Sequence, residues 1–463
     1  MVNIKRRARG VTLTHKGLRK LQIAKGSEEQ HELTGKCSKL EGIQEKNLLC
    51  EDTIAKIFTC KSPVDKRSLK ICFQALDLIL ESDDYYNPKD ETSRGEKFLY
   101  SYPELPMGQV PLDSPYYVQR QPLEDRCYGE ITKPGGSLKI KGAYLTGKTS
   151  LITRLLERSK QQGYHTIYIN LSLAESYILQ NLERLLRWFC THISLALNLP
   201  DKISEYWDSS SAAEMNCVLY FERYLLPNIN VPIVIALDEA DRLFDFADVS
   251  DLFLHLLGWF HEKAKHNPVW QKLRLVITHA MEQYPPSTLK PSSLSIGLSV
   301  NLPPFNLQEV QQLATRYRLE LSIYQLEQLM ALVGGNPFLV RLAFYEISQG
   351  RQTIETILFT SPISHQYIYK EHLEQQLCIL EYKYKNLIAD WIKVIKSEEP
   401  RPLEPTNLHR LKSLGLIQYE GNLATPSCQL YKIYFQECLG LDNTPPSSLS
   451  FSIVKVTNKM KVS

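Results

Sequence analysis

Cysteine pairs at metal-binding spacing are missing from this chain. Its ten cysteines are scattered over 463 residues without a Cys-x-x-Cys pair, and the cluster Cys37, Cys50, Cys60 and Cys72 fits no metal pattern. Neither a zinc site nor a disulfide framework is indicated, and reduced, partly buried thiols are expected. No apolar run approaches the roughly 18 residues that span a bilayer, and the basic start, Met1 to Arg9, is not followed by a signal-peptide core. No membrane partner is expected, and the expected location is cytoplasmic. Net charge is also slight: +3, with 23% charged and 43% hydrophobic residues, which is neither a disordered nor a fibrous composition, nor a strongly nucleic-acid-binding one. An Asn-Lys-x-Asp guanine-reading motif is absent, so ATP is favoured over GTP for any nucleotide site.

What is present is a phosphate-binding loop. Gly142-Ala143-Tyr144-Leu145-Thr146-Gly147-Lys148-Thr149, followed by Ser150, satisfies Gly-x-x-x-x-Gly-Lys-Thr between the strand-like Ser137–Ile140 and a helical pattern at Leu151, Ile152, Leu155 and Leu156. Glycines let successive N–H groups curl inward on an anion. Lys148 then reaches the β- and γ-phosphates, and the Thr149 hydroxyl ligates Mg2+.

The apolar run Ile233–Leu237 ends in Asp238 and Glu239, as a strand buried on both faces does when its C-terminal end meets a ligand. It resembles a Walker B strand, with Asp238 on Mg2+ and Glu239 polarising the attacking water. The ~90 residues between the two motifs have room for an intervening helix, strand and helix, and Tyr164–Leu171 supplies the strand. Leu273–His279 is a further strand, whose terminal Thr278, or alternatively His279, stands where a γ-phosphate sensor is sought. Leu298–Leu302 is another, stopped by Pro303-Pro304. The fold class is therefore an α/β P-loop NTPase with a parallel sheet of the additional-strand type, accompanied by helical modules.

Composition divides the chain into a helical, helix-turn-helix-like module (1–84), a linker (85–114), the ATPase core (115–305), a helical lid (306–362), a winged-helix-like domain (363–440) and a flexible tail (441–463). In the first module, helices are expected around Leu13–Ile23, Leu40–Leu48, Ile54–Phe58 and Leu69–Leu80. Eight basic residues and no acid fall in the first 25 positions, which suits phosphate backbones, but Glu51-Asp52 opens the presumptive recognition helix and would repel DNA. A protein-interaction module is the favoured alternative. In the lid, Gly334-Gly335 ends one helix and Pro337 begins the next, so that Pro337 can press on the base, while Arg341 is either a phosphate sensor or a surface ion-pair partner. Leu403–Leu414, followed by a hairpin around Gly421-Asn422, is winged-helix grammar.

Residues from about Asp113 to Cys438 closely resemble the bacterial AAA-like proteins related to the STAND class of AAA+ P-loop signalling ATPases. The resemblance is carried by Leu112–Arg120, Gly147–Leu151, Leu185–Cys190, Ala236–Arg242 and Leu332–Pro337. The first 85 residues resemble the helix-turn-helix partner of such proteins, found in vWA-MoxR-associated proteins. This resemblance implies a switch whose ATP and ADP states differ in how lid and winged helix pack on the core, exposing a surface for a protein partner or for self-association. It also implies that Val118 and Arg120 border the adenine. The loop lacks the arginine of Pro-Arg-Gln-Met-Gly-Lys-Thr, which many members carry, and the winged helix lacks an evident phosphate-contacting histidine. Three functions are thus open: a slowly hydrolysing switch, a DNA-binding regulator, and an ADP-bound scaffold without turnover.

Overall fold

The computed structural model describes residues 10–13, 17, 18, 20, 21, 24, 49–59, 63–82, 84–86, 103–280 and 297–440. At its centre five parallel strands lie in the order His165–Asn170, Ile233–Asp238, Leu273–His279, Ser137–Lys141, Leu298–Asn301. The Leu273–His279 strand thus separates the phosphate-loop strand from the Walker B strand, which is the additional-strand order expected.

Alternation along the Walker B strand explains its unbroken apolar run. Ile233, Ile235 and Leu237 pack under the helices Leu182–Ala196, Ala213–Tyr220 and Ala247–Ala264, while Val234 and Ala236 face the helices Leu123–Thr132 and Lys148–Gln161. With both faces covered, every residue of this strand is buried.

Beyond the sheet come the helices Leu307–Arg316, Ile323–Val333, Pro337–Ser348 and Ile354–Phe359. Reciprocal caps begin three of them, Asn306 with Glu309, Ser322 with Gln325 and Thr353 with Thr356. Asn336 then accepts from Phe338 N–H, with Pro337 in the first helical turn. The C-terminal part contains Lys370–Cys378, Ile388–Ile395, Pro405–Ser413 and Gln429–Cys438 around an antiparallel sheet ordered Arg401–Pro402, Leu423–Pro426, Ile417–Glu420. The expected hairpin is there, with Leu423 opposite Glu420. Lid and C-terminal part share one core, in which Trp391, Phe435, Phe344 and Leu416 are closed off from solvent.

His372 belongs to that shared packing. Its ring lies 5.8 Å from Phe338 of the lid and its Nε2 is 2.8 Å from the Tyr431 hydroxyl. Burial pushes the imidazole down to about 4. An unfolded histidine titrates near 6.5, so between these values the unfolded chain binds a proton that the folded chain refuses. Stability therefore falls as pH falls through that window, by about 2 kcal/mol at pH 5. In His372→Gln, the loss of unfolding free energy between pH 7.5 and pH 5 is expected to be smaller than in the parent by about that amount.

The N-terminal unit departs from expectation in two places. Thr12–Leu13 is a strand and not part of a helix, paired with Tyr86 and Tyr85. Those tyrosines thereby belong to the N-terminal unit and not to a linker beginning at residue 85. Helices Glu51–Thr59 and Lys66–Ala75 stand where helices are expected, although the second ends before Leu80. The helix around Leu40–Leu48 lies outside the described residues, as does the tail 441–463. Among the described basic residues, Lys20 is tied to Glu81 (2.6 Å) and buried Asp84 (3.0 Å).

Candidate functional site

The phosphate loop joins the Ser137–Lys141 strand to the Lys148–Gln161 helix. Gly147 has φ +94°, a conformation that side-chain-bearing residues rarely adopt, and a Cβ on Gly142 would stand 2.8 Å from Thr146 Oγ1. Inside the loop, the Thr146 hydroxyl donates to Ala143 O (2.8 Å), and Lys148 Nζ donates to Gly142 O (2.8 Å) and Ala143 O (2.9 Å). Burial pushes the Lys148 pKa below its ordinary value, against the opposing pull of Asp241, Asp238 and Glu239.

Asp238 is only 1% exposed and saturated with donors. Thr149 Oγ1 (2.7 Å) and the Tyr168 hydroxyl (2.9 Å) donate to Oδ2, while Glu239 N–H (3.0 Å) and the Thr278 hydroxyl donate to Oδ1. Thr278 is therefore wholly buried behind the carboxylate and does not line the cavity described below. The hydroxyl expected at the γ-phosphate is spent here on the Asp238 carboxylate. Glu239 has φ +55°, ψ +43°, a left-handed conformation that turns the chain out of the strand at the cavity wall. Oxygen donors from Thr149 and Asp238 beside Glu239 form a hard set that fits Mg2+.

A cavity of about 590 Å³ opens over the loop. Tyr144, Leu145, Gly147, Lys148, Thr149 and Ser150 form its floor, and Asp238, Glu239, Asp241 and Arg242 one wall. Gly142, Ala143 and Thr146 build the loop from beneath without facing the cavity. Pro337 lines it, together with Phe338 and Arg341. Val118 and Arg120 do not. Val118 is 2% exposed in the lid core, and Arg120 braces the loop from behind, with Nη2 on Thr146 O (2.7 Å) and its guanidinium 4.7 Å from the Phe305 ring.

Segment 103–114, expected as linker, is docked. Val110 N–H donates to Ser150 Oγ (2.9 Å), and Arg154 donates to Val110 O (2.9 Å) and Pro111 O (2.6 Å). Pro106, Gly108, Gln109 and Val110 line the cavity. Glu104 pairs with Arg341 at 2.8 Å, a part-buried ion pair in which Arg341 is buried and the Glu104 side chain is 29% exposed.

The far wall belongs to the C-terminal part, through Gln376, Lys383, Tyr384, Arg410 and Ser413 among others. Tyr144 N–H of the loop donates to Ser413 O (3.0 Å), and Lys383 pairs with Asp245 (3.0 Å) just beyond the Walker B turn. None of these residues stands in a nucleotide-binding motif. They meet the loop only because tertiary packing folds the C-terminal helices back over it, although the alternating exposure of His165–Asn170 would have marked Tyr168 as a face residue.

A model of the AAA-like domain family matches residues 105–437. Similar solved structures include a Walker-type ATPase of Pyrococcus abyssi, 16% identical, with TM-score 0.48 over 68% of this chain and 95% of that one. The Aeropyrum pernix ORC1 protein in complex with DNA is 14% identical, with TM-score 0.38 over 69% and 93%. A STAND protein with a tetratricopeptide repeat sensor from Pyrococcus horikoshii is 16% identical, with TM-score 0.34 over 73% and 47%. No curated protein matches the chain.

Proposed function

The chain belongs to the AAA-like domain family, and from that premise we propose an ATP-binding, slowly hydrolysing signalling switch in which the nucleotide sets how lid and C-terminal domain pack on the core. One observation carries this reading. The cavity over the phosphate loop is walled jointly by core, lid and C-terminal part, and a loop amide, Tyr144 N–H, is bonded to Ser413 of the last. A ligand in that cavity touches all three at once, so its identity biases their packing.

In this reading Lys148 and the loop amides hold the β- and γ-phosphates, Thr149 and Asp238 hold Mg2+, and Pro337 flanks the base. When bound, the metal offsets charge on the phosphate oxygens. Glu239 takes a proton from water as the water oxygen bonds to the γ-phosphorus and the bond to the β–γ bridging oxygen breaks, leaving ADP and phosphate. Thr278 and Tyr168 keep the Asp238 carboxylate turned toward the loop. Arg410 and Arg341, both at the cavity, are candidate cations for a γ-phosphate in a loop that lacks its own arginine.

The helix Pro405–Ser413 and its hairpin support a winged-helix reading of 363–440, and the two N-terminal helices support a helix-turn-helix reading of the first unit. Both serve here as protein-contact modules in a cytoplasmic protein. The last turn of the helix Pro405–Ser413 is taken up by the phosphate loop through Ser413, which favours a packing role for this helix over a DNA-reading one. Boundaries at 115–305, 306–362 and 363–440 are retained, with the first unit extended through Tyr86.

The test is to purify the full chain without added nucleotide, identify what denaturation releases, and follow phosphate release from ATP. Released ADP with slow turnover is expected. Neither nucleotide nor turnover would overturn the reading.

A further inference from the structure

Among the described residues, the cations lining the nucleotide cavity are Lys148, Arg242, Arg341, Lys383 and Arg410. Three of them are engaged: Lys148 with two loop carbonyls, Arg341 with Glu104 and Lys383 with Asp245. Arg242 stands on the core, within the acidic Walker B turn Ala240–Asp245. Arg410 is different, because the C-terminal part brings it to the cavity and its guanidinium has no hydrogen bond or ion pair among the described residues. An arginine stays charged at any working pH, so an unpaired one at a cavity wall is matched to an anion that enters.

The helix Pro405–Ser413 aims this side chain. Arg410, Ser413 and Leu414 all line the cavity, and their spacing of three and four residues puts them on one helix face. Leu408 and Leu411 point the other way, into the core shared with the lid. The same face also fixes which end of the cavity Arg410 meets. Ser413 O, less than one turn further on, accepts from Tyr144 N–H of the phosphate loop (3.0 Å). Lys148 Nζ stands beside that point, on the carbonyls of Gly142 and Ala143. Arg410 and Lys148 thus approach one end of the loop, the first from the C-terminal part and the second from the core.

We infer that Arg410 binds the terminal phosphate, and that it makes ATP and not ADP the nucleotide that ties the C-terminal part to the core. This rests on the nucleotide-binding reading above. Lys148 serves the β- and γ-phosphates alike. A guanidinium on the opposite wall adds a planar fork that takes two oxygens of one phosphate, so it rewards the phosphate that ADP lacks. Arg410 supplies from a distant segment the arginine that is missing from the loop itself. Coupling of this kind is reciprocal: the factor by which Arg410 favours ATP over ADP is the factor by which ATP, relative to ADP, favours docking of the helix Pro405–Ser413.

The experiment measures dissociation constants of ADP and of the non-hydrolysable β,γ-imido analogue of ATP, both with Mg2+, for the full chain and for Arg410→Gln. The parent is expected to favour the triphosphate by about 10- to 100-fold, the size of one or two charge-assisted hydrogen bonds. In Arg410→Gln the triphosphate is expected to bind about tenfold or more weaker, while ADP affinity changes less than about threefold. A merely structural role for Arg410 would weaken both nucleotides equally, and that result, or no loss for either, overturns the inference while leaving nucleotide binding intact. Equal affinities for the two nucleotides in the parent overturn it even if the variant does not fold. A parent that binds neither nucleotide overturns the nucleotide reading itself.

Discussion

Glu239→Gln is expected to bind ATP as the parent does and to hydrolyse it at least about 100-fold more slowly, the size of a lost general base. The change keeps the shape of the side chain, so nothing is opened in the wall, and the left-handed backbone at this position, φ +55°, is set by the Ala240–Asp245 turn that follows. What is lost is the carboxylate that accepts the proton of the attacking water. Retention of ATP through gel filtration and single-turnover phosphate release separate the two steps. A non-hydrolysing scaffold would show the same nucleotide content and the same negligible turnover with or without Glu239, and that outcome would remove the switch.

Lys148→Ala is expected to weaken ATP binding by at least about 100-fold. In the structure its ammonium donates to Gly142 O (2.8 Å) and Ala143 O (2.9 Å), hydrogen bonds that phosphate oxygens can accept in their place. Hydrogen bonds from a charged donor contribute about 1.5–3 kcal/mol each, so two of them account for that factor. The chain itself should remain folded, because burial already disfavours the charge at this position. Calorimetric titration with ATP checks the affinity and circular dichroism the fold. Undiminished binding would show that phosphates are held elsewhere.

The sheet was legible because its physics is local. Residues 233–237 are buried on both faces, so they read as an unbroken apolar run, and the glycines and Lys148 of the loop follow from the needs of a phosphate nest. Pro337 was legible as a helix start and does line the cavity. Side-chain direction was not legible. Thr278 is at the expected strand end, yet it points to Asp238, and Arg120 approaches the loop from the side opposite the cavity. Nor was the far wall legible, since Gln376, Lys383 and Arg410 reach the loop through the packing of lid against C-terminal helices, a long-range arrangement that leaves no periodic trace. Leu13 misled for a related reason: a two-residue strand has too little alternation to compete with the helical spacing of Leu18 and Leu21 beside it.

Amide hydrogen exchange at the junction of loop and C-terminal part tests the switch most directly. Tyr144 N–H and the backbone of Pro405–Ser413 would be followed in the ADP-bound parent and in ATP-loaded Glu239→Gln. Protection that differs between the two states at these amides, while the buried Ile233–Asp238 strand stays equally protected in both, is the expected result. Identical protection at Tyr144 and along 405–413 in both states would contradict a nucleotide-controlled docking of the C-terminal domain.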